Sequence, residues 1–189
     1  MHPCPQGKLL RLPSFEYLEK IQSILEKDTS FEILAQKRTM DEKERADFLS
    51  HFEGQKDHHR VGLLVLGGIF SEGIDLVGEK LIGAIVVSVG LPQVSYERRH
   101  IQEYYQREAE EPKKGFRYAY SYPGLNRVLQ AAGRVIRSEE DKGVLFFIDR
   151  RFRDSTYKET LEELYPDRVT VYSPSGTYQR CKKFWEGKK

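Results

Sequence analysis

Three unbroken apolar runs limit most strongly what this chain can fold into. They are "VGLLVL" (61–66), "AIVVSV" (84–89) and "VLFFI" (144–148). Runs without regular polar alternation are typical of strands buried on both faces of a parallel sheet. Helix-like stretches separate them, at 95–109 and at about 124–137. We therefore predict an α/β domain with a mostly parallel central sheet flanked by helices. Ligands of such sheets bind beyond the carboxyl ends of the strands, so the loops after the runs are the first candidates for a site.

The first fifty residues predict three further elements. A helix is expected over 14–28, with a serine as its N-cap and an apolar face at helical spacing. The segment "FEILA" (31–35) predicts a short strand. A second helix is expected over 39–54, with Thr39 as its cap and Gly54 at its end. These elements extend the alternation of strands and helices towards the start of the chain.

Three segments fit this alternation less well. Residues 106–123 contain two prolines and a glycine that interrupt helices, and we interpret them as a long surface insertion. Residues 1–7 are expected to be a disordered start or a cloning remnant. Residues 173–189 predict a short basic C-terminal helix that is docked through its Phe-Trp pair. We assign the whole chain, 1–189, to a single domain.

Composition excludes several classes of protein. The 31 basic residues nearly balance the 29 acidic ones, which argues against binding nucleic acid by bulk charge but leaves room for a local basic patch. Cys4 and Cys181 cannot supply a four-thiolate zinc or iron–sulfur site, and a reduced compartment is a simpler reading than a disulfide. Because we find neither a signal core nor a run of about 18 apolar residues, we expect a cytoplasmic protein that does not contact a membrane.

The segment "QAAGRVIRSEED" (130–141) places two arginines in a helix-like stretch. At the helical step of about 100° per residue, Gln130, Arg134 and Arg137 fall within about 60° of one another, opposite an apolar face. Gly133 flanks this polar face and would let a ligand or another chain approach closely. A guanidinium binds multi-oxygen anions bidentately, so the pair suits a polyphosphate. The alternative is a pair of surface arginines bridged to the acidic residues that follow.

The segment "GGIFSEGIDLVGEKL" (67–81) follows the first apolar run and contains four glycines. Ser71 can donate to a phosphate, whereas Glu72 and Asp75 can accept from a ribose or a guanidinium. The alternative is an acidic connecting loop. Gly73 begins a near match to the phosphate-loop motif, but glutamate stands where the motif needs lysine. The chain also lacks an Asp-Glu pair after an apolar run, and so lacks the parts that hold a triphosphate and its Mg²⁺.

These segments, followed by "VSVGLP" and by "GFRYAYSYPGLNRVLQAAGRVIRSEEDKGVLFFIDRRF", resemble motifs V and VI of superfamily 2 helicases. The match is best in the DinG/XPD group. The resemblance covers roughly residues 8–165 and is most specific over 60–153. It implies a RecA-like three-layer fold and the role of a second motor domain. It also implies that ATP is sandwiched between two such domains, and that the first domain holds the phosphate loop, the Mg²⁺ and any iron–sulfur cluster.

The resemblance also implies roles for single residues. Gln130, Arg134 and Arg137, with Gly133, match the motif Q-x-x-G-R-x-x-R, whose arginines reach the γ-phosphate of ATP across the cleft. In the glycine-rich segment 67–81, Gly73 and Asp75 match motif V, which couples the nucleotide state to the nucleic acid. Ser71 and Glu72 lie in the same loop. One departure is Arg11 in "KLLRLPSF" (8–15), where the family has an apolar strand. We therefore expect either that the chain starts at a truncation point or that the first strand is an edge strand or poorly formed.

Contacts with single-stranded DNA are expected where basic and aromatic residues intermingle. The basic members of this group are Arg98, Arg99, Lys113, Lys114 and Arg117; the aromatic members are Tyr104, Tyr105, Tyr118, Tyr120 and Tyr122. Such a mixture can stack bases and bind phosphates, although a solvated charged helix and loop would have the same composition. The favoured function is the C-terminal motor domain of a DinG-like helicase that moves 5′→3′, with no ATPase activity in the isolated chain. The alternative is a non-catalytic RecA-like module that binds nucleic acid or docks a partner.

Overall fold

A five-stranded, all-parallel sheet forms the centre of the structure. The computed structural model describes residues 7–52, 59–70, 81–107, 109–133, 135 and 142–187. The strand order across the sheet is β2-β3-β1-β4-β5. The strands are β1 (Gly7–Leu12), β2 (Phe31–Ala35), β3 (His59–Val65), β4 (Gly83–Val87) and β5 (Val144–Ile148). The predicted parallel sheet is confirmed.

Helices cover both faces of this sheet. They are α1 (Phe15–Leu25), α2 (Glu42–Ser50), α3 (Tyr96–Arg107), α4 (Lys114–Phe116), α5 (Tyr122–Ala132), α6 (Ser155–Leu164) and α7 (Pro174–Trp185). Leu18 of α1 packs with Leu12 and Leu63 on one face. The other face carries two clusters, one formed with Phe48 of α2 and the other with Val128 of α5. Sheet and helices therefore make the three layers expected of a RecA-like domain.

The first strand lies in the middle of the sheet, so the expectation of an edge or poorly formed strand was wrong. β1 pairs with β3 on one side and with β4 on the other. Arg11 is 1% exposed, and its Nη1 donates to the carbonyl oxygen of Phe70 at 2.8 Å. A buried guanidinium is tolerated where a polar acceptor meets it. Here the acceptor comes from the segment that follows β3.

Side-chain caps define where the first two helices begin. Ser14 caps α1, as predicted, and its Oγ accepts from the backbone N–H of Tyr17. The N-cap of α2 is Asp41, so the prediction of Thr39 was wrong. Asp41 Oδ1 accepts from the N–H of Glu44 at 2.7 Å, and Glu44 Oε2 accepts from the N–H of Asp41 at 3.1 Å. This reciprocal capping box satisfies two backbone donors at once. Gly54 lies outside the described residues.

The predicted surface insertion at 106–123 is largely part of a continuous helix. α4 runs through a π-helical segment, Arg117–Ser121, directly into α5. Ala119, Tyr120 and Ser121 are buried. Pro123 does not end the helix; it is the second residue of α5 and directly follows the π-helical segment, where the α-helical hydrogen-bond pattern is already interrupted. The expectation that the segment is irregular was therefore wrong for residues 114–123.

The C-terminal segment forms the expected helix, α7, which Ser173 caps at its N-terminus. Lys142, just before β5, lies 5.0 Å from the ring centre of Phe184 and 5.3 Å from that of Trp185. Arg153, after β5, lies over the ring of Tyr172. Contacts at both ends of β5 therefore hold this segment alongside the strand. None of the helices in the described part of the chain has the length and apolar character needed to cross a membrane.

Candidate functional site

The carboxyl ends of the central strands carry tight turns. Backbone φ is +75° at Gly67 after β3, and +79° and +65° at Ser88 and Gly90 after β4. Positive φ at a residue other than glycine is uncommon and costs conformational energy. Ser88 is such a residue, and its Oγ accepts from Nη2 of Arg151 at 3.2 Å. The loops named from the sequence as ligand candidates thus begin in constrained turns at one edge of the sheet.

The described part of α5 agrees with its predicted two faces. The side chains assigned to the apolar face are buried; they are Leu125, Val128, Ala132 and Val135. Gln130 and Gly133 are exposed on the other side. Arg134 and Arg137, the two guanidiniums predicted for this face, lie outside the described residues, and α5 ends at Ala132, before the predicted end at about 137. The helix therefore packs on the sheet through its apolar side and presents the amide of Gln130 to solvent.

The segment that leads into the glycine-rich loop is described, although the loop is not. Ser71, Glu72, Gly73 and Asp75 lie outside the described residues, so their placement stays a prediction. Phe70, directly before them, is buried, and Arg11 binds its carbonyl.

Two further side chains meet this segment. Gln36, which follows β2, is buried, and its Oε1 accepts from the N–H of Val65 at 2.9 Å. The guanidinium of Arg127 lies against Gly67. Polar side chains from three different elements, β1, α5 and the end of β2, therefore hold the exit of β3.

An ion pair directly after β5, which the sequence alone did not indicate, also contacts the residue that follows β4. Arg151 donates from Nη2 to Asp149 Oδ2 at 2.6 Å and from Nε to Asp149 Oδ1 at 3.0 Å. These charge-assisted bonds hold the pKa of Asp149 below its ordinary value. Nη2 also reaches Ser88 across the strands. The signal in the sequence was "DRR" directly after an apolar run, but only the pairing of β4 with β5 brings Ser88 to it.

Four tyrosines form a chain of ring contacts, here called the tyrosine ladder: Tyr104, Tyr105, Tyr118 and Tyr122. Adjacent ring centres are 5.3, 4.2 and 5.3 Å apart along this order, and the central pair is stacked at an interplanar angle of 13°. Tyr104 is 62% exposed and Tyr118 is 41% exposed. This partly exposed row of rings links α3 to the π-helical segment and to α5, and its exposed rings offer flat surfaces for stacking.

The other residues predicted to contact DNA differ in whether their side chains are free to reach it. Tyr120 is only 5% exposed and stacks on Phe116, so its ring does not face solvent beside the ladder. Arg98 donates from Nη1 to the carbonyl of Ala119 at 2.6 Å, and Arg117 pairs with Glu111. Arg99 is exposed on α3. Lys113 is also exposed and has a left-handed backbone conformation directly before α4.

Comparison with known proteins identifies the class to which this RecA-like α/β domain belongs. A family model described as "Helicase C-terminal domain" matches residues 1–168. The chain therefore belongs to the helicase C-terminal domain family.

Relatives and a solved structure agree with this assignment. A protein of Methanocaldococcus jannaschii named "Probable ATP-dependent helicase" is 29% identical over 166 residues, which cover 78% of this chain and 24% of that protein. The ATP-dependent DNA helicase DinG of Photobacterium profundum is 33% identical over 110 residues, covering 56% and 15%. An apo structure of XPD matches with a TM-score of 0.63 at 18% identity, over 84% of this chain and 31% of that one. The chain thus spans a quarter or less of the length of these two sequence relatives, and the XPD match supports the fold.

Proposed function

We propose that this domain is the second motor domain of a DinG-like ATP-dependent DNA helicase that moves 5′→3′ along a single strand. The family match and the names of the relatives support a helicase role, and the resemblance to the DinG/XPD group is the ground for the polarity. The observation that carries the proposal is the orientation of α5. Its apolar side is buried against the sheet while Gln130 and Gly133 are exposed, so the described part of the predicted polar face is turned away from the core.

Arg134 and Arg137 are proposed to stabilise negative charge on the γ-phosphate as the bond to the β-phosphate breaks. Gln130 would hydrogen-bond the same phosphate or the attacking water. The ATP and its Mg²⁺ would be held mainly by a first RecA-like domain that carries the phosphate loop. Among the residues that the structure describes, no group of three or more His, Cys, Asp or Glu could hold a metal ion, and no step proposed for this chain depends on one.

The arginine roles are tested by Arg137→Ala in the full-length protein. ATP binding should be largely retained, because the phosphate loop and Mg²⁺ supply most of it. Turnover in the presence of single-stranded DNA should fall by roughly 10³-fold, the usual effect of losing a finger arginine. Arg180→Ala is the matched control, because Arg180 is exposed on α7 outside the family match. Unchanged turnover in Arg137→Ala would remove this residue from the mechanism.

We further propose that the tyrosine ladder, together with the exposed Arg99 of the same helix α3, forms part of the track for single-stranded DNA. Aromatic side chains that stack on bases contribute about 1–3 kcal/mol per base. Tyr118→Ala should therefore weaken the binding of a labelled oligothymidine at least about fivefold in fluorescence anisotropy. Tyr178→Ala is the control, because Tyr178 is also an exposed tyrosine but lies on α7, outside the ladder. Equal affinities of the two variants, or binding that does not depend on salt, would contradict this part of the proposal.

A non-catalytic module that binds nucleic acid is the second candidate. It is favoured by the tyrosine ladder, which lies wholly within this chain. ATP hydrolysis separates the two candidates: binding to single-stranded DNA by a full-length protein that does not hydrolyse ATP would favour the module over the motor.

A further inference from the structure

Helix α5 meets the turn after β4 through direct contact between backbones. A Cβ atom added at Gly124 would lie 2.6 Å from the carbonyl oxygen of Val89, and one added at Gly90 would lie 2.9 Å from the carbonyl oxygen of Gly124. Gly90 also has φ of +65°, which only glycine adopts readily. The start of α5 and the exit of β4 therefore have no side chain between them and little room to shift relative to each other.

One side chain of α5 extends this contact to the exit of β3. The guanidinium of Arg127 lies so close to Gly67 that a Cβ there would be 3.2 Å from its Nε and 3.3 Å from its Cζ. Its Nη1 also approaches the carbonyl oxygen of Gly90, at 3.5 Å. Arg127 is half-buried. A single arginine thus touches the turns after β3 and after β4, the two strands that flank β1 in the sheet.

The two ends of this contact lead to the two segments that the sequence assigns to motifs V and VI. Gly67 lies four residues before Ser71, where the motif V loop begins, and the intervening Phe70 is anchored on its other side by Arg11. Arg127 lies three residues before Gln130 on the same helix, α5. A displacement of α5 would therefore act through the guanidinium on Gly67, at the exit of β3.

We propose that Arg127 is a positioning residue that couples the motif VI helix to the motif V loop, so that the nucleotide state changes the affinity for single-stranded DNA. This inference rests on the proposed motor function. The coupled quantity is the ratio of two dissociation constants for single-stranded DNA, measured without nucleotide and with a non-hydrolysable ATP analogue. Coupling between two sites in one protein typically amounts to a ratio of about 5 to 150.

The experiment measures this ratio by fluorescence anisotropy in the full-length protein, with a labelled oligothymidine and the ATP analogue as probes. In Arg127→Ala the ratio should fall to within about twofold of one. The dissociation constant without nucleotide should stay within about threefold of the wild-type value, because Arg127 is not proposed to touch the DNA. Arg127→Lys keeps the charge but lacks the planar fork, and should restore at most part of the ratio. Arg180→Ala on α7 is the matched control and should keep the full ratio.

Three results would overturn the inference. The first is a full ratio in Arg127→Ala, and the second is a full ratio in Arg127→Lys, which would show that charge alone suffices. The third is a lower melting temperature together with weaker nucleotide-free DNA binding in both variants, which would assign Arg127 to packing. If the wild-type affinity for DNA does not respond to the analogue, the proposed function fails instead, and the wild-type measurement alone reveals it.

Discussion

Replacing Gly124 with alanine tests the close packing of α5 on the sheet. The new Cβ would lie 2.6 Å from the carbonyl oxygen of Val89 and 3.2 Å from atoms of Gly90. An ordinary contact needs about 3.5 Å, so helix and turn must separate by about 0.9 Å. Both partners are backbone atoms and cannot rotate away. Such overpacking costs about 1–3 kcal/mol, and the better helix propensity of alanine offsets up to about 1 kcal/mol of it. We expect a net loss of about 1–2 kcal/mol in the free energy of unfolding.

Thermal unfolding followed by circular dichroism measures this loss. For a domain of this size, 1 kcal/mol lowers the melting temperature by about 2–4 °C, so Gly124→Ala should melt about 2–8 °C below the wild type. Gly133→Ala is the matched control from the end of the same helix. Gly133 is exposed and has φ of −65°, so its replacement should change the free energy by no more than about 0.5 kcal/mol. Equal melting temperatures for Gly124→Ala and the wild type would refute the packing argument.

Two further predictions concern polar contacts at the carboxyl edge of the sheet. Asp149→Asn should lower the free energy of unfolding at pH 7 by about 1 kcal/mol, since it weakens charge-assisted bonds to an Arg151 side chain that is 40% exposed. The pKa of Asp149 is depressed in the folded state, so its stabilising contribution is fully present above the pKa of the unfolded chain and should shrink as the pH falls below 3.8. Urea titrations of wild type and Asp149→Asn measure this. A difference in free energy of unfolding that stays the same at all pH values would contradict the prediction. Gln36→Leu removes the acceptor for the N–H of Val65 and should lower the free energy of unfolding by about 1–3 kcal/mol. The control Gln93→Leu changes an exposed residue and should be nearly neutral. Equal urea midpoints for the two variants would argue against a structural role for Gln36.

Elements defined by local patterns could be predicted from the sequence. The apolar runs gave strands near their observed positions, and Ser14 was identified as the cap of α1. The cap of α2 was also within reach, because Asp41 and Glu44 have the spacing of a capping box. Thr39 is also a residue type that caps helices, although aspartate is preferred, and the reciprocal bond to Glu44 further favours Asp41.

Features that depend on distant contacts could not be predicted in this way. Arg11 was interpreted as disrupting its strand because its acceptor, Phe70, lies 59 residues further along the chain. Pro123 was interpreted as a break because sequence patterns do not show a π-helical segment leading into α5. The contact between Arg151 and Ser88 requires the pairing of β4 with β5.

The candidate site likewise combines features that local patterns predict with features that depend on distant contacts. The two faces of α5 follow from helical periodicity, and the described residues of that helix agree with it. The tyrosine ladder required the fold, because α3 and the π-helical segment place Tyr105 on Tyr118 across 12 residues of sequence. The roles of Arg134, Arg137 and the motif V residues stay predictions from the resemblance.

The central claim is that this chain supplies one half of an ATP site that is split between two domains. It is tested most directly by measuring ATP hydrolysis, with and without single-stranded DNA, by the purified 189-residue chain and by the full-length protein that is proposed to carry the phosphate-loop domain. The account predicts background hydrolysis by the chain alone and DNA-stimulated hydrolysis by the full-length protein. Hydrolysis by the pure chain at a rate near that of the full-length protein would contradict it.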